Sequence, residues 1–233
     1  MHGLILAGGI GSRLAADGVA EPKPLVRIGG RPQLLRLCET LEGLGCESVT
    51  CMTRAGVSAA SIVGDDPRRR IISCSTASSL HTLALGFGAM PPGPVFCSMV
   101  DTVMPWESWL PVWDAWQAAV AEAVPVVLAV APCSERDESP LLVRIDESGR
   151  ITALGASLPG ESFATAGVYG FGPSVRPLAL RALNGGVQRM RGFLTLLASD
   201  GLHLRAVPVH RALDIDRRED LDEANLWAPM VGP

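Results

Sequence analysis

The stretch from Gly3 to Leu14 constrains this chain more than any other. Gly3 to Ala7 is a short apolar run, and Gly8-Gly9-Ile10-Gly11-Ser12-Arg13-Leu14 follows it at once. Such a run delivers a buried strand into a glycine-rich turn, whose backbone N–H groups can approach an anion closely because no Cβ intervenes. A short loop later comes Glu21-Pro22-Lys23-Pro24-Leu25. The flanking prolines restrict the backbone around Lys23, so its ammonium is a point charge of fixed direction, while Arg13 offers a planar fork of donors. The segment predicts a phosphate cradle with two cations.

Three phosphate-binding patterns place glycines after a strand. A dinucleotide fingerprint requires a third glycine three residues after the second, where Leu14 stands after Gly11. A Walker A loop requires Gly-Lys-Ser/Thr, and this loop contains no lysine. The lysine count narrows the choice further, since Lys23 is the only lysine among 20 Lys and Arg residues. Arginine serves every other basic position, so the exception marks a place that needs a compact ammonium on a flexible stem.

The remainder alternates in period. After Pro32, at an expected first helical position, Leu34, Leu35, Leu37, Cys38, Leu41 and Leu44 follow helical spacing up to Gly45. Strands are expected at Ser48 to Thr53, Arg70 to Ser75, Pro94 to Val100 and Pro125 to Ala131, with helices at Ser58 to Val63, Ser78 to Met90 and Trp106 to Ala121. This alternation predicts an α/β fold, a Rossmann-like mixed, mostly parallel sheet with helices on both faces. Beyond residue 135, Leu141 to Asp146 and Arg150 to Leu154 read as an antiparallel hairpin around Glu147-Ser148-Gly149. Further strands are expected at Ala164 to Phe171 and His203 to Val209, and helices at Ser174 to Leu183, Arg191 to Ser199 and Glu219 to Trp227. With 233 residues, 48% apolar content and no repeat or long linker, the expectation is a single domain whose texture changes between 1–134 and 135–233.

Several classes are disfavoured. A formal net charge of −4 argues against a nucleic-acid surface, and Arg68 to Arg70 is no longer than a solvated turn. The apolar stretch Ala123 to Ala131 is too short to span a bilayer and contains Pro125, so no membrane partner is expected. The N-terminus runs straight into the glycine loop without a charged leader, which makes the protein cytoplasmic on this reading. Cys38, Cys46, Cys51, Cys74, Cys97 and Cys133 are scattered singly and read as buried thiols. Nothing in the sequence excludes a homo-oligomer.

Leu6-Ala7-Gly8-Gly9-Ile10-Gly11-Ser12-Arg13-Leu14 followed by Pro22-Lys23-Pro24-Leu25 resembles the sugar-phosphate nucleotidyltransferase family, the NDP-sugar pyrophosphorylase type. Its opening pattern is Leu-Ala-x-Gly-x-Gly-Ser/Thr-Arg-Leu with a following Pro-Lys-Pro-Leu. The resemblance implies the nucleotide-diphospho-sugar transferase fold, with 1–134 the nucleotide-binding part and 135–233 the acceptor-binding part and closing elements, and a nucleoside triphosphate lying across Leu6, Ala7, Gly8, Gly9, Gly11 and Ser12. Arg13 and Lys23 would neutralise charge on the α-phosphate and on the leaving pyrophosphate. Such a reaction needs a hard divalent cation, Mg2+, on oxygen ligands. Asp101 follows the run Val95 to Val100, at the carboxyl end of a parallel strand where open α/β sheets bind ligands, and is both a catalytic and a metal candidate.

Asp214 and Asp216 are spaced by two, so on a strand both would face one ion. Their segment is similar to the family's late Asp-x-x-Thr-Pro-Glu-Asp-Leu element, with Arg217-Arg218 in place of Thr-Pro. Asp214 is the first choice as metal ligand and Asp216 the second, while Glu219 and Asp220 suit the helix N-terminus. Thr76, Ala77, Ser78 and Ser79 occupy the place where the family approaches the base, and equally suit a helix cap. Thr165, Ala166 and Gly167, ahead of Val168-Tyr169, resemble the family's acceptor strand. The family's acceptor-side lysine is missing from 151–162, leaving Arg144, Arg150 or Arg191 to hold an acceptor phosphate. Trp106, Trp109, Trp113 and Trp116 recur at helical steps and read as a buried face, and the four histidines as structural.

The resemblance implies a nucleotidyltransferase joining a nucleoside triphosphate to a phosphomonoester, a sugar 1-phosphate first. The alternatives are a non-sugar acceptor, such as phosphocholine, methylerythritol phosphate or molybdopterin, and a nucleotide-binding regulatory module without turnover.

Overall fold

The centre of the sheet is the opening apolar run itself. In a computed structural model, which describes residues 1–133, 140–160 and 162–232, His2–Ala7 forms β1 between two parallel neighbours. In chain order the further elements begin with α1 (Ser12–Ala16), β2 (Arg27–Ile28), β3 (Arg31–Pro32), α2 (Gln33–Leu44), β4 (Ser48–Arg54), α3 (Ala60–Val63) and β5 (Arg69–Cys74). They continue with α4 (Ser79–Ala89), β6 (Val95–Met99), β7 (Thr102–Val103), α5 (Trp106–Ala121), β8 (Val126–Pro132), β9 (Leu142–Ile145) and β10 (Ile151–Gly155). The last are β11 (Phe163–Phe171), α6 (Val175–Asn184), α7 (Met190–Ser199), β12 (Leu204–Pro208), β13 (Leu213–Asp214) and α8 (Arg218–Leu226).

Among the described residues the main sheet has nine strands. β5, β4, β1 and β6 run parallel in that order, and β11 joins β6 antiparallel. The other edge of β11 pairs β8 antiparallel, and β12 lies parallel to β8. Along β11 the pairing changes partner: Val168 to Phe171 lie against β6, whereas Phe163 and Ala164 lie against the hairpin strand β9. The change occurs across Gly167, whose φ of 71° is a left-handed conformation natural to glycine, and it opens the sheet beyond the carboxyl end of β6.

Alternation along β1 feeds two cores. Leu4 and Leu6 pack with α4, α6 and α7 on one face, Ile5 and Ala7 with α2, α3 and α5 on the other. Each fully buried aliphatic side chain contributes about 2 kcal/mol. Trp109, Trp113 and Trp116 are buried in the second core, which bears out the tryptophan face of α5. Pro32 sits one residue earlier than expected relative to the helix. It pairs with Arg27 in the β2–β3 ribbon and α2 starts at Gln33, since Pro32 Cα already has an extended ψ of 136°. Five of the cysteines are buried as expected; Cys133 is exposed, because it follows the end of β8. The anticipated division near residue 134 lies outside the described residues.

A third, smaller apolar cluster fastens the two ends of the chain. Leu14, Val19, Val26 and Ile28 pack with Val103, Ile215, Ala224, Trp227 and Val231. Asn225 accepts from Gly29 N–H at 2.9 Å, so α8 sits directly on the loop that follows the glycines.

Candidate active site

The glycine loop turns at Gly11, which has φ 67° and caps α1. A Cβ there would come within 3.2 Å of Lys23 Cγ, so the missing side chain lets the lysine stem cross the loop. Lys23 opens a single 3₁₀ turn, Lys23–Leu25, held by Leu25 N–H donating to Pro22 O. Its ammonium donates to Asp101 Oδ2 at 2.9 Å and to Asp216 Oδ1 at 2.5 Å. Arg13 Nη1 donates to the other oxygen of Asp216 at 2.7 Å. Burial pulls the Lys23 pKa down, but the Asp101 and Asp216 carboxylates more than offset this and leave it raised above its ordinary value.

Two remote carboxylates meet because their backbones pair. Leu213 and Asp214 lie antiparallel to Val103 and Thr102, and Ile215 N–H donates to Asp101 O at 2.9 Å. The expectation of one strand carrying both late aspartates needs correction: β13 stops at Asp214, and Ile215 turns into the third cluster. The two carboxylates line the same cleft but take different partners. Asp214 accepts from Thr102 Oγ1 at 3.4 Å, while Asp216 reaches Lys23. Asp220 accepts from the backbone N–H groups of Asp216 and Arg217 at 2.9 and 2.7 Å, which fixes Asp216 and serves the start of α8.

These groups stand on the wall of an open cleft of about 1120 Å³ at the carboxyl end of β6. Of the residues singled out by sequence, Gly9, Arg13, Ala77, Ser78, Ser79 and Asp101 line it, as do Thr165, Ala166, Gly167, Asp214 and Asp216. Lys23 lies just beneath, 8% exposed, and Leu6 and Ala7 are buried in β1. Gly8 stands behind the lining, where a Cβ would meet Thr82 Oγ1 at 3.1 Å. Thr76 bonds Thr82 side chain to side chain at 2.6 Å. Ser12 opens α1 beside the glycines. Ser78 is both the cap of α4, as expected, and a donor to Gln188 O; Ser79 Oγ accepts from Met190 N–H at 3.0 Å.

Sequence reasoning missed the segment that meets these serines. Gln188, Arg189 and Met190 line the cleft at the start of α7, with Arg191 beside them. The signal available was Gly185-Gly186 followed by Arg-x-Arg ahead of a helical pattern. Of the three arginines considered for the acceptor, Arg191 is the one that lines the cleft; the Arg144 guanidinium donates to Pro159 O, and the Arg150 backbone forms an antiparallel β-bridge with that of Arg205. Arg211 and Trp227 were also missed, the guanidinium lying 5.1 Å from the ring centroid at the cleft edge.

Residues 3–163 match the family described as the MobA-like NTP transferase domain. A stretch of 49 residues, 21% of this chain, is 47% identical to a mannose-1-phosphate guanyltransferase of Pichia angusta. A stretch of 34 residues, 15% of this chain, is 53% identical to a glucose-1-phosphate cytidylyltransferase of Salmonella typhimurium. The matches span only 14% and 13% of those two proteins. The structure of the inositol-1-phosphate CTP transferase from T. maritima superposes with a TM-score of 0.81 at 17% identity, covering 99% of this chain and 95% of that one, and so shares its fold. With the family match running from β1 into the start of β11, through the glycine loop, Lys23 and Asp101, the chain belongs to the MobA-like NTP transferase domain family.

Proposed function

We propose that the protein is a nucleotidyltransferase that joins a nucleoside triphosphate to a phosphomonoester, a sugar 1-phosphate in the first instance. The observation that carries this reading is the convergence of Lys23, Arg13, Asp101 and Asp216 on one wall of the cleft. The names of the sugar-phosphate relatives support the acceptor class.

On this reading the triphosphate lies along the glycine loop. Gly9 and the N-terminus of α1 offer N–H groups to its oxygens, and Arg13 and Lys23 carry the positive charge. An acceptor phosphate oxygen attacks the α-phosphorus, the bond from that phosphorus to the α,β-bridging oxygen breaks, and pyrophosphate leaves with the electron pair. Catalysis of this kind is mostly positioning and charge stabilisation, and no covalent nucleophile is needed. Asp101 and Asp216 fit Mg2+, because both carboxylates already converge on a cation, the Lys23 ammonium; Asp214 stands next to them toward Thr102. When bound, Mg2+ would polarise the phosphoryl oxygens and offset their charge, with its shell completed by phosphate and water oxygens. Thr165, Ala166 and Gly167 form the acceptor wall, and Arg191 takes the part of the missing lysine. Buried free thiols such as Cys38 and Cys51, hydrogen-bonded to each other at 3.5 Å, suit a reducing compartment, the cytoplasm.

The test is a matrix of nucleoside triphosphates against sugar 1-phosphates and other phosphomonoesters with Mg2+, read by pyrophosphate release. The expected result is release from one matched pair. Triphosphate binding without release from any pair would replace this reading with a regulatory module.

A further inference from the structure

We infer that Lys23 fills, in the free protein, the place between Asp101 and Asp216 that a divalent cation takes for the reaction, and yields it only when a triphosphate arrives to receive the ammonium. The inference rests on the metal reading proposed above. Nζ bonds one oxygen of each aspartate, at 2.9 and 2.5 Å, and Arg13 holds the second oxygen of Asp216 at 2.7 Å. Three carboxylate oxygens are thus engaged by protein cations. These are the oxygens a hard cation would use, and an ammonium this close both occupies them and repels a second positive charge.

The stem of Lys23 is packed in place while its head has somewhere to go. Cγ lies over Gly11 and the 3₁₀ turn between Pro22 and Val26 fixes the backbone, whereas Nζ sits directly beneath the cleft that Gly9 and Arg13 line. Rotation about the outer side-chain bonds moves the ammonium from the carboxylates toward the glycine loop without moving the backbone. Incoming phosphate oxygens would replace the carboxylates as its partners, and the two aspartates would then be open to the metal that accompanies the nucleotide. Lys23 therefore couples the two arrivals: metal without triphosphate binds poorly.

Mn2+ binding, followed by electron paramagnetic resonance in the absence of nucleotide, tests this directly. Lys23→Met keeps the stem and removes the charge, and Lys23→Gln is the second variant should the first not fold, as judged by circular dichroism. The variant is expected to bind Mn2+ about tenfold or more tightly than the unmodified protein, because a repelling charge has gone. Adding Asp101→Asn to it should abolish the gain. Binding no tighter than in the unmodified protein would overturn the inference and leave the proposed reaction, read by pyrophosphate release, standing. A gain that survives Asp101→Asn would put the metal elsewhere and overturn both the inference and the metal reading.

Discussion

Lys23 differs from the arginines of this chain in the size and shape of its head group. Its stem crosses Gly11 and its single nitrogen donates to two carboxylates at 2.5 and 2.9 Å, a point-charge geometry that a planar fork of five donors does not reproduce. Lys23→Ala should lower turnover by on the order of 10²-fold, the usual scale for losing one charge-stabilising donor, and Lys23→Arg should restore little of it. Pyrophosphate release at saturating substrates checks both, and a near-normal rate in Lys23→Ala would remove its assigned role. This residue was legible in the sequence because it is the sole lysine and is framed by prolines. That Asp216 rather than Asp214 meets Lys23 was not, since it turns on where β13 stops, and a two-residue strand leaves no periodicity to read. The same holds for Ser78 and Ser79, whose partners Gln188 and Met190 lie more than a hundred residues away.

At the scale of elements, α8 and the Trp227 that follows it act as a clamp on α1 and the β2–β3 ribbon. Trp227 packs into the cluster that holds Leu14, Val19, Val26 and Ile28, while Asn225 receives the Gly29 N–H. Trp227→Ala should cost about 3 kcal/mol, the range found for large aromatic truncations, with the loss concentrated in this small cluster. Amide hydrogen exchange should then quicken across residues 12–28 and 213–231 and stay slow in β1 and β4; uniform acceleration would show that the clamp is not a separate unit. β1, α2, β4, α3, β5, α4, β6, α5 and β8 were readable because each follows from local apolar spacing and glycine punctuation. The ribbons β2–β3 and β7–β13 escaped reading, since two-residue strands are made by their surroundings rather than by their own pattern.

Over the whole molecule, the two parts of the chain share one sheet. β8 belongs to the first part, yet both its neighbours, β11 and β12, come from the second, and β6 also pairs β11. Residues 1–133 alone would bare a long apolar edge and are expected not to fold, whereas the full chain should unfold in urea as one transition, with tryptophan fluorescence and circular dichroism superimposing. Separated transitions would instead reveal two independent units. The single-domain expectation drew on length and the absence of a linker; the interleaving itself was hidden, because long-range strand order leaves no local trace in sequence. The β7–β13 ribbon carries one more consequence. Asp216 reaches Lys23 only after β13 has docked against β7, so a chain emerging from the ribosome carries its glycine loop and its lysine long before it carries the partner that completes them. A chain stopped before β13 lacks Asp216 and is therefore expected to release no pyrophosphate in the assay proposed above.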